Sequence, residues 1–188
     1  MSDAGKTRCA WAKGELMEAY HDSEWGVQTL DEQKLYELFL LEAFQAGLSW
    51  YIILKKRENF RKAFDGFDVH KIAGYGEDKI AELLGDAGII RSRGKIEGAI
   101  NNARCFLDIQ KEFGSFAAYL YHFTDGKPVV NLTDEMKTTT ALSDTMSLDM
   151  KKRGMKYMGS VTLYSYLQAI GVVNDHDTTC FCHPSALD

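Results

Sequence analysis

The stretch LYELFLLEAFQAGLSW, residues 35–50, constrains the fold more than any other part of the chain. Leu35, Leu38, Phe39, Glu42 and Ala46 recur at the spacing that stacks side chains on one face of a helix. Leu40, Leu41, Ala43 and Phe44 make the remaining faces apolar too. A helix this apolar all round must be enclosed by other elements. Glu42 falls on its buried face, where an ionised carboxylate costs several kcal/mol unless something pairs with it. That makes Glu42 the first candidate functional residue.

The helices that would enclose it are legible from their ends. Asp31 can cap the first and Gly47 close it in a left-handed turn. SWYIILKKRENFRKAFDGF reads as a second helix with Ser49 as cap and Gly66 as stop. DVHKIAGYGEDKIAELLGDAG reads as a short helix, a break at Tyr75-Gly76, and a helix ending near Asp86 to Gly88. SRGKIEGAINNARCFLDIQKEFGS forms a long helix, and SFAAYLYHF follows with Ser115 as cap. Residues 124–142, with Pro128 and a threonine run, read as a loop crossing between two helical lobes. A helix over 143–153 stops at Gly154, and SVTLYSYLQAIG is closed by Gly171. With strand signals scarce, the expectation is an all-α fold in one domain spanning residues 1–188, long enough to bury a sizeable core.

A hydrophobic fraction of 45% with only two prolines argues against a disordered or fibrous chain. No apolar run approaches the roughly 20 residues that span a bilayer. MSDAGKTRCAWAKGELMEAY has no apolar signal core. A cytoplasmic protein without membrane contacts is expected. The net charge of -5 hides three basic islands: KKRENFRK at 55–62, RSRGK at 91–95 and KKRGMKY at 151–157. Gathered on one side, they would present a positive face to a polyanion, because local potential steers binding more than net charge does. The segment LLGDAGIIRSRGKIEGAI, 83–100, has the form helix, glycine-bearing turn, helix. Gly88 breaks the first helix, and Arg91, Arg93 and Lys95 flank the start of the second, whose exposed N–H groups suit a phosphate.

The four cysteines are Cys9, Cys105, Cys180 and Cys182. In a reducing compartment, metal ligation or plain burial is expected rather than a disulfide framework. NDHDTTCFCHP sets His176 and Cys180 four residues apart, with Cys182 and His183 following, while Cys9 and His21 lie near the other end. One cysteine and one histidine from each end would suit tetrahedral zinc, closed and structural, tying the two ends together. Aromatic residues gather around these positions: Trp11 follows Cys9, Tyr20 and Trp25 flank His21, and Trp50 lies two turns past Glu42, across the Gly47 break. Aromatic walls over an anionic floor favour a flat cation.

AYHDSEWGV, LLEAFQAGLSWYIILKKRENFRKAF, DAGIIRSRGKI and KKRGMKYMGSVTLYSYLQAIGVVNDH closely resemble, in that order, the bacterial 3-methyladenine DNA glycosylase I family. The likeness runs from about Cys9 to Cys180. It implies a helix-hairpin-helix fold, with the hairpin at about 83–100, and one structural zinc per chain held by Cys9, His21, His176 and Cys180. The expected activity is hydrolytic excision of 3-methyladenine from alkylated duplex DNA, the first step of base excision repair, without lyase chemistry. The expected product is free 3-methyladenine and the expected working form a monomer. The resemblance implies base recognition by Glu42, with Tyr20 and Trp50 stacking on the extruded base and Trp11 beside them. Gly47 and Leu48 match the turn that inserts into the gap in the duplex. Gly88, Arg91, Arg93 and Lys95 match the hairpin that grips phosphates. Met17 and Ala43-Phe44 depart from the family pattern and bear on pocket shape. The rival readings are a non-catalytic, zinc-stabilised DNA-binding module, which leaves Glu42 unexplained, and a zinc hydrolase, which needs an open coordination position.

Overall fold

Asp31 starts the helix that organises the rest: its carboxylate accepts the Lys34 N–H at 2.7 Å, and helix α2 runs from Glu32 to Gln45. Every residue of α2 from Leu35 to Phe44 is buried. In this computed structural model, which describes residues 6–184, α2 is the central helix. It packs against α3 (Trp50–Ala63), α6 (Arg93–Phe113), α7 (Phe116–His122) and α9 (Ser160–Ala169). The remaining helices among the described residues are α1 (Glu15–Ser23), α4 (Val69–Ala73), α5 (Glu77–Gly85) and α8 (Ala141–Lys152), with a 3-10 turn at Asp65–Phe67. None of them is long and apolar enough to cross a membrane.

Local chemistry sets the helix ends. Ser115 caps α7, and the Glu32 carboxylate from α2 also accepts the N–H groups of Phe116 and Ala117, at 2.8 and 3.0 Å. That contact fixes the angle between α2 and α7 through the positive end of a helix dipole. Thr140 and Ser143 form a reciprocal capping box, so α8 begins two residues before the expected position 143. Ser49 stands at the cap position of α3 but makes no side-chain cap bond.

The all-α expectation needs one correction. Val129–Val130 (β1) pairs in parallel with Val173–Asn174 (β2). Val129 N–H donates to Val172 C=O at 2.8 Å, and Asn131 N–H to Asn174 C=O at 2.9 Å. Two-residue strands taken from two Val-Val-Asn runs are too short to show a period of two in sequence. The pairing nonetheless holds the chain that leads into His176. The principal core is continuous across α2 to α9, and a smaller cluster joins Cys9, Tyr20, Trp25, Leu54 and Cys180. That smaller cluster contains the candidate site.

Candidate active site

Helix α2 carries two buried carboxylates, and they are treated differently. Glu37 is matched: Arg57 Nε donates to it at 2.6 Å and Arg61 at 2.8 Å, while Arg57 also bridges to Glu24. Glu42 is not matched. Its Oε2 is buried without a hydrogen-bond partner among the described residues, and burial alone raises its pKa from 4.5 to about 8. The indole N–H of Trp50 is the second buried polar group there without a well-formed hydrogen bond, having only the Tyr20 phenol beside it. Native interiors leave few such groups, so two facing one cavity mark a place for a polar ligand.

That cavity, about 270 Å³, is lined by Trp11, Met17, Tyr20, Trp25, Glu42, Gln45, Trp50, Ser165 and Gln168. It contains all three tryptophans of the chain. Its size suits a small fused ring rather than a chain or large ligand. Trp11 and Trp25 meet edge to face at 4.9 Å between centroids. Tyr20 and Trp50 lie 5.5 Å apart at 53°. Enclosing a base between parallel rings needs about 7 Å, twice the stacking distance of about 3.4 Å. Tyr20 and Trp50 therefore form adjoining walls in this arrangement, each with one face for a ligand. Burial and the Glu42 charge both raise the Tyr20 phenol well above its usual pKa, so it stays neutral.

Behind these walls, Cys9, His21, His176 and Cys180 converge, all four buried, with their ligand atoms within 4.8 Å of one another. Cys9 Sγ and Cys180 Sγ each lie 3.5 Å from His176 Nδ1, and Cys180 Sγ lies 3.4 Å from His21 Nε2. Tetrahedral zinc bonds of about 2.3 Å to sulfur and about 2.05 Å to nitrogen imply S···N separations of about 3.5 Å. The donor set fits. Its surroundings fit as well. His21 Nδ1 meets Asp22 at 2.8 Å, and Asp22 is itself gripped by Arg8. His176 Nε2 meets the Trp25 carbonyl at 3.1 Å. Such outer partners fix the tautomer and aim the free nitrogen at a metal. Backbone N–H groups of Asp177 and Cys182 point at the two sulfurs, at 3.3 and 3.4 Å. Without a cation, burial pushes the Cys9 thiol up to about 12 and holds His176 down to about 4. A bound metal reverses the thiol's preference.

The cluster and the cavity share walls. Tyr20 precedes His21 on α1, Trp11 packs edge-on against His21 at 5.3 Å, and Trp25 packs on His176 at 4.6 Å. Gly26, at φ +76°, passes so close to His176 that a Cβ there would lie 2.8 Å from Nε2.

Past Glu42, α2 ends in a tight turn. Ala46 (φ -46°, ψ 115°) and Gly47 (φ +82°) have the angles of a type II turn, whose third position favours glycine. Gln45 C=O accepts the Leu48 N–H at 2.7 Å, and the Gln45 side chain donates to the Leu48 carbonyl at 3.1 Å. Gly47 is exposed and Leu48 half-buried.

The first two basic islands meet at the α5–α6 turn, and the third runs along α6 from Glu112 back to Gly94. Lys56 donates to the carbonyls of Ala87 and Gly88 at 3.1 Å each, and Tyr157 lies against Gly94 and Gly98 of α6. Lys55, Lys62, Arg91 and Lys156 are exposed, as are Lys151 and Lys152 toward the far end of α6. Arg57, Arg61, Arg93 and Arg153 hold carboxylates instead. Lys95 was expected at phosphate, yet its Nζ donates to the carbonyls of Phe44 and Ala46, at 2.8 and 2.7 Å. Gln45, Ser165 and Gln168 line the cavity without being singled out by sequence, because isolated uncharged polar residues in helices leave no pattern.

Comparison with known proteins points to one family. Residues 11–183 match the family model described as methyladenine glycosylase. The chain is 45% identical over 181 residues to DNA-3-methyladenine glycosylase 1 of Escherichia coli (strain K12), covering 94% of this chain and 97% of that protein. It superposes on a crystal structure of 3-methyladenine DNA glycosylase I with a TM-score of 0.91 and 47% identity, over 95% of this chain and all of the other. A variant of 3-methyladenine DNA glycosylase I solved in complex with 3-methyladenine matches with a TM-score of 0.88 and 34% identity, over 92% and 95% of the two chains.

Proposed function

The chain belongs to the methyladenine glycosylase family, and on that premise we propose that it excises 3-methyladenine from alkylated DNA, with Glu42 recognising the base. The observation that carries this reading is the contrast within α2. Glu37 has its arginines, while Glu42 keeps a buried oxygen unmatched at the floor of an aromatic cavity.

Alkylation at N3 gives adenine a positive charge, and its exocyclic amine is a hydrogen-bond donor. Both properties suit an anionic acceptor among aromatic rings. Burial favours the protonated form of Glu42, whose pKa is raised to about 8. Ionising it at pH 7 costs about 1.4 kcal/mol for one pKa unit, less than a close ion pair returns in a dry site. Neutral adenine brings no charge to offset that cost, so selectivity follows from differential binding. The positive charge also weakens the glycosidic bond. When it breaks, the electron pair goes to the base and discharges it. Water then supplies the hydroxyl at the sugar carbon and releases a proton. Glu42 is the one carboxylate among the described residues lining the cavity, and no lysine lines it. This supports hydrolysis without a Schiff-base intermediate and hence without strand cleavage.

The target must first leave the stack, at a cost of a few kcal/mol that damage lowers. The turn at Gly47 and Leu48 is placed to fill the vacancy, as apolar wedges do. The start of α6 has no side-chain cap, since Ser92 makes no cap bond, so its N–H groups remain for a phosphate. Gly88, Arg91 and Arg93 stand beside it, in the helix-hairpin-helix role. The ion pairs of Arg93 with Glu77 and Glu97 are exposed and weak, so a phosphate can replace them. The proposal takes the chain as a single catalytic domain working as a monomer.

Zinc at Cys9, His21, His176 and Cys180 would supply cross-linking rather than chemistry, since four protein ligands leave no open position. It would hold Trp11, Tyr20 and Trp25 in place. This also disfavours the zinc-hydrolase alternative. The test uses the three tryptophans: titration with 3-methyladenine should change the intrinsic fluorescence saturably, and adenine should do so far more weakly. Equal response to both bases would defeat the assignment of Glu42.

A further inference from the structure

We propose that Lys95 is a positioning residue for the Gly47–Leu48 wedge turn, rather than a phosphate ligand like its neighbours Arg91 and Arg93. The proposal rests on the glycosylase reading and deepens it. Lys95 lies in the first turn of α6, beside the hairpin, and its ammonium reaches across to α2. It donates to the carbonyls of Phe44 and Ala46, two of the last acceptors of that helix, at 2.8 and 2.7 Å. These carbonyls have no partners within their own helix, and a cation there also meets the negative end of the helix dipole.

The residues it grips bracket Gln45, and Gln45 holds Leu48 through both its backbone carbonyl and its side chain. Gln45 also lines the cavity that contains Glu42. One chain of contacts thus links the helix that meets the DNA backbone, the turn that enters the duplex, and the wall of the base pocket. The hairpin sets where the phosphate backbone sits. Lys95 carries that register to α2, so Leu48 meets the gap at a fixed distance from Glu42. Lys56 makes the corresponding contact on the other side of the hairpin, donating to the carbonyls of Ala87 and Gly88 and tying the turn to α3.

A positioning role separates three measurements that other roles would move together. The parent protein first must release 3-methyladenine from methylated duplex DNA, and failure of that control would refute the glycosylase reading itself. For Lys95→Met, the tryptophan titration with free 3-methyladenine should match the parent, because the pocket is intact. Release from methylated duplex should fall by about tenfold to a hundredfold, the usual penalty for misplacing a group by an ångström. Release from methylated single strands, which have no gap to fill, should fall much less. Lys95→Met in a Leu48→Ala background should add little to the loss from Leu48→Ala alone, as for residues acting through one another. Equal losses on duplex and single strand, with a salt slope reduced by about one, would identify a phosphate contact and overturn the proposal. Loss of base binding along with duplex activity would show a general structural role and overturn it too. If Lys95→Met does not fold, Lys95→Arg, which keeps the cation and its donors, decides: it should retain most of the duplex activity, and full loss in a folded protein would sink the idea.

Discussion

Glu42→Gln should make this protein more stable and much less active. In the parent, burial raises the Glu42 pKa from 4.5 to about 8. The native state therefore holds a proton that the unfolded chain releases throughout that window, and stability falls as pH rises from about 4.5 to about 8. At pH 7 the difference between 4.5 and 7 is about 2.5 units, or roughly 3–4 kcal/mol at about 1.4 kcal/mol per unit. Glutamine has the same shape and cannot ionise, so it removes this penalty, although its amide stays buried. Urea denaturation of the two proteins at several pH values reads the effect. The stability difference should be largest at pH 8, in favour of the variant, and shrink toward pH 4.5. Release of 3-methyladenine should meanwhile drop by about thirtyfold to a thousandfold, corresponding to about 2–4 kcal/mol for an unpaired cation in a dry site. A stability difference that does not vary with pH, or a variant as active as the parent, would refute the reasoning.

Cys180→Ser should lower both metal content, read by atomic absorption, and the midpoint of thermal unfolding, because metal binding and folding are coupled. Its tryptophan response to 3-methyladenine should weaken in parallel, since Trp11 and Trp25 pack on the histidine ligands. Gly26→Ala should do much the same, by strain at φ +76° and by a Cβ driven against His176 Nε2; unchanged zinc affinity would contradict this. Arg91→Ala should weaken duplex binding evenly across sequences and reduce the salt slope by about one, measured by fluorescence anisotropy.

Much of this arrangement was legible from residues alone, and the rest failed for identifiable reasons. The burial of α2 was readable because apolar residues occupy all its faces, and the same periodicity placed Glu42 inside. What periodicity could not tell was that Glu37, one turn and a half earlier, would be matched by Arg57 and Arg61 while Glu42 would not. The cysteine and histidine types suggested a metal, but the pairs are 167 residues apart in sequence, and spacing could not choose between Cys180 and Cys182. In the fold, the Cys182 backbone N–H supports the Cys180 sulfur. Lys95 reads as one of three cations flanking a helix start, and only the fold reveals that its partners lie about fifty residues away. Tyr20 and Trp50 were expected to stack on the base, and the tilt between them became visible only with coordinates. Helix α1 has just two buried residues, too few to announce an amphipathic face.

The central claim is that an unmatched carboxylate in an aromatic pocket serves the excision of a cationic base. The most direct measurement is chromatography of what the parent protein releases from methylated duplex DNA, with the strands examined before and after alkali. The expected result is free 3-methyladenine, little free adenine, and abasic strands that break only on alkali treatment. Protein that binds the duplex and releases no base would contradict the account and favour the non-catalytic DNA-binding module.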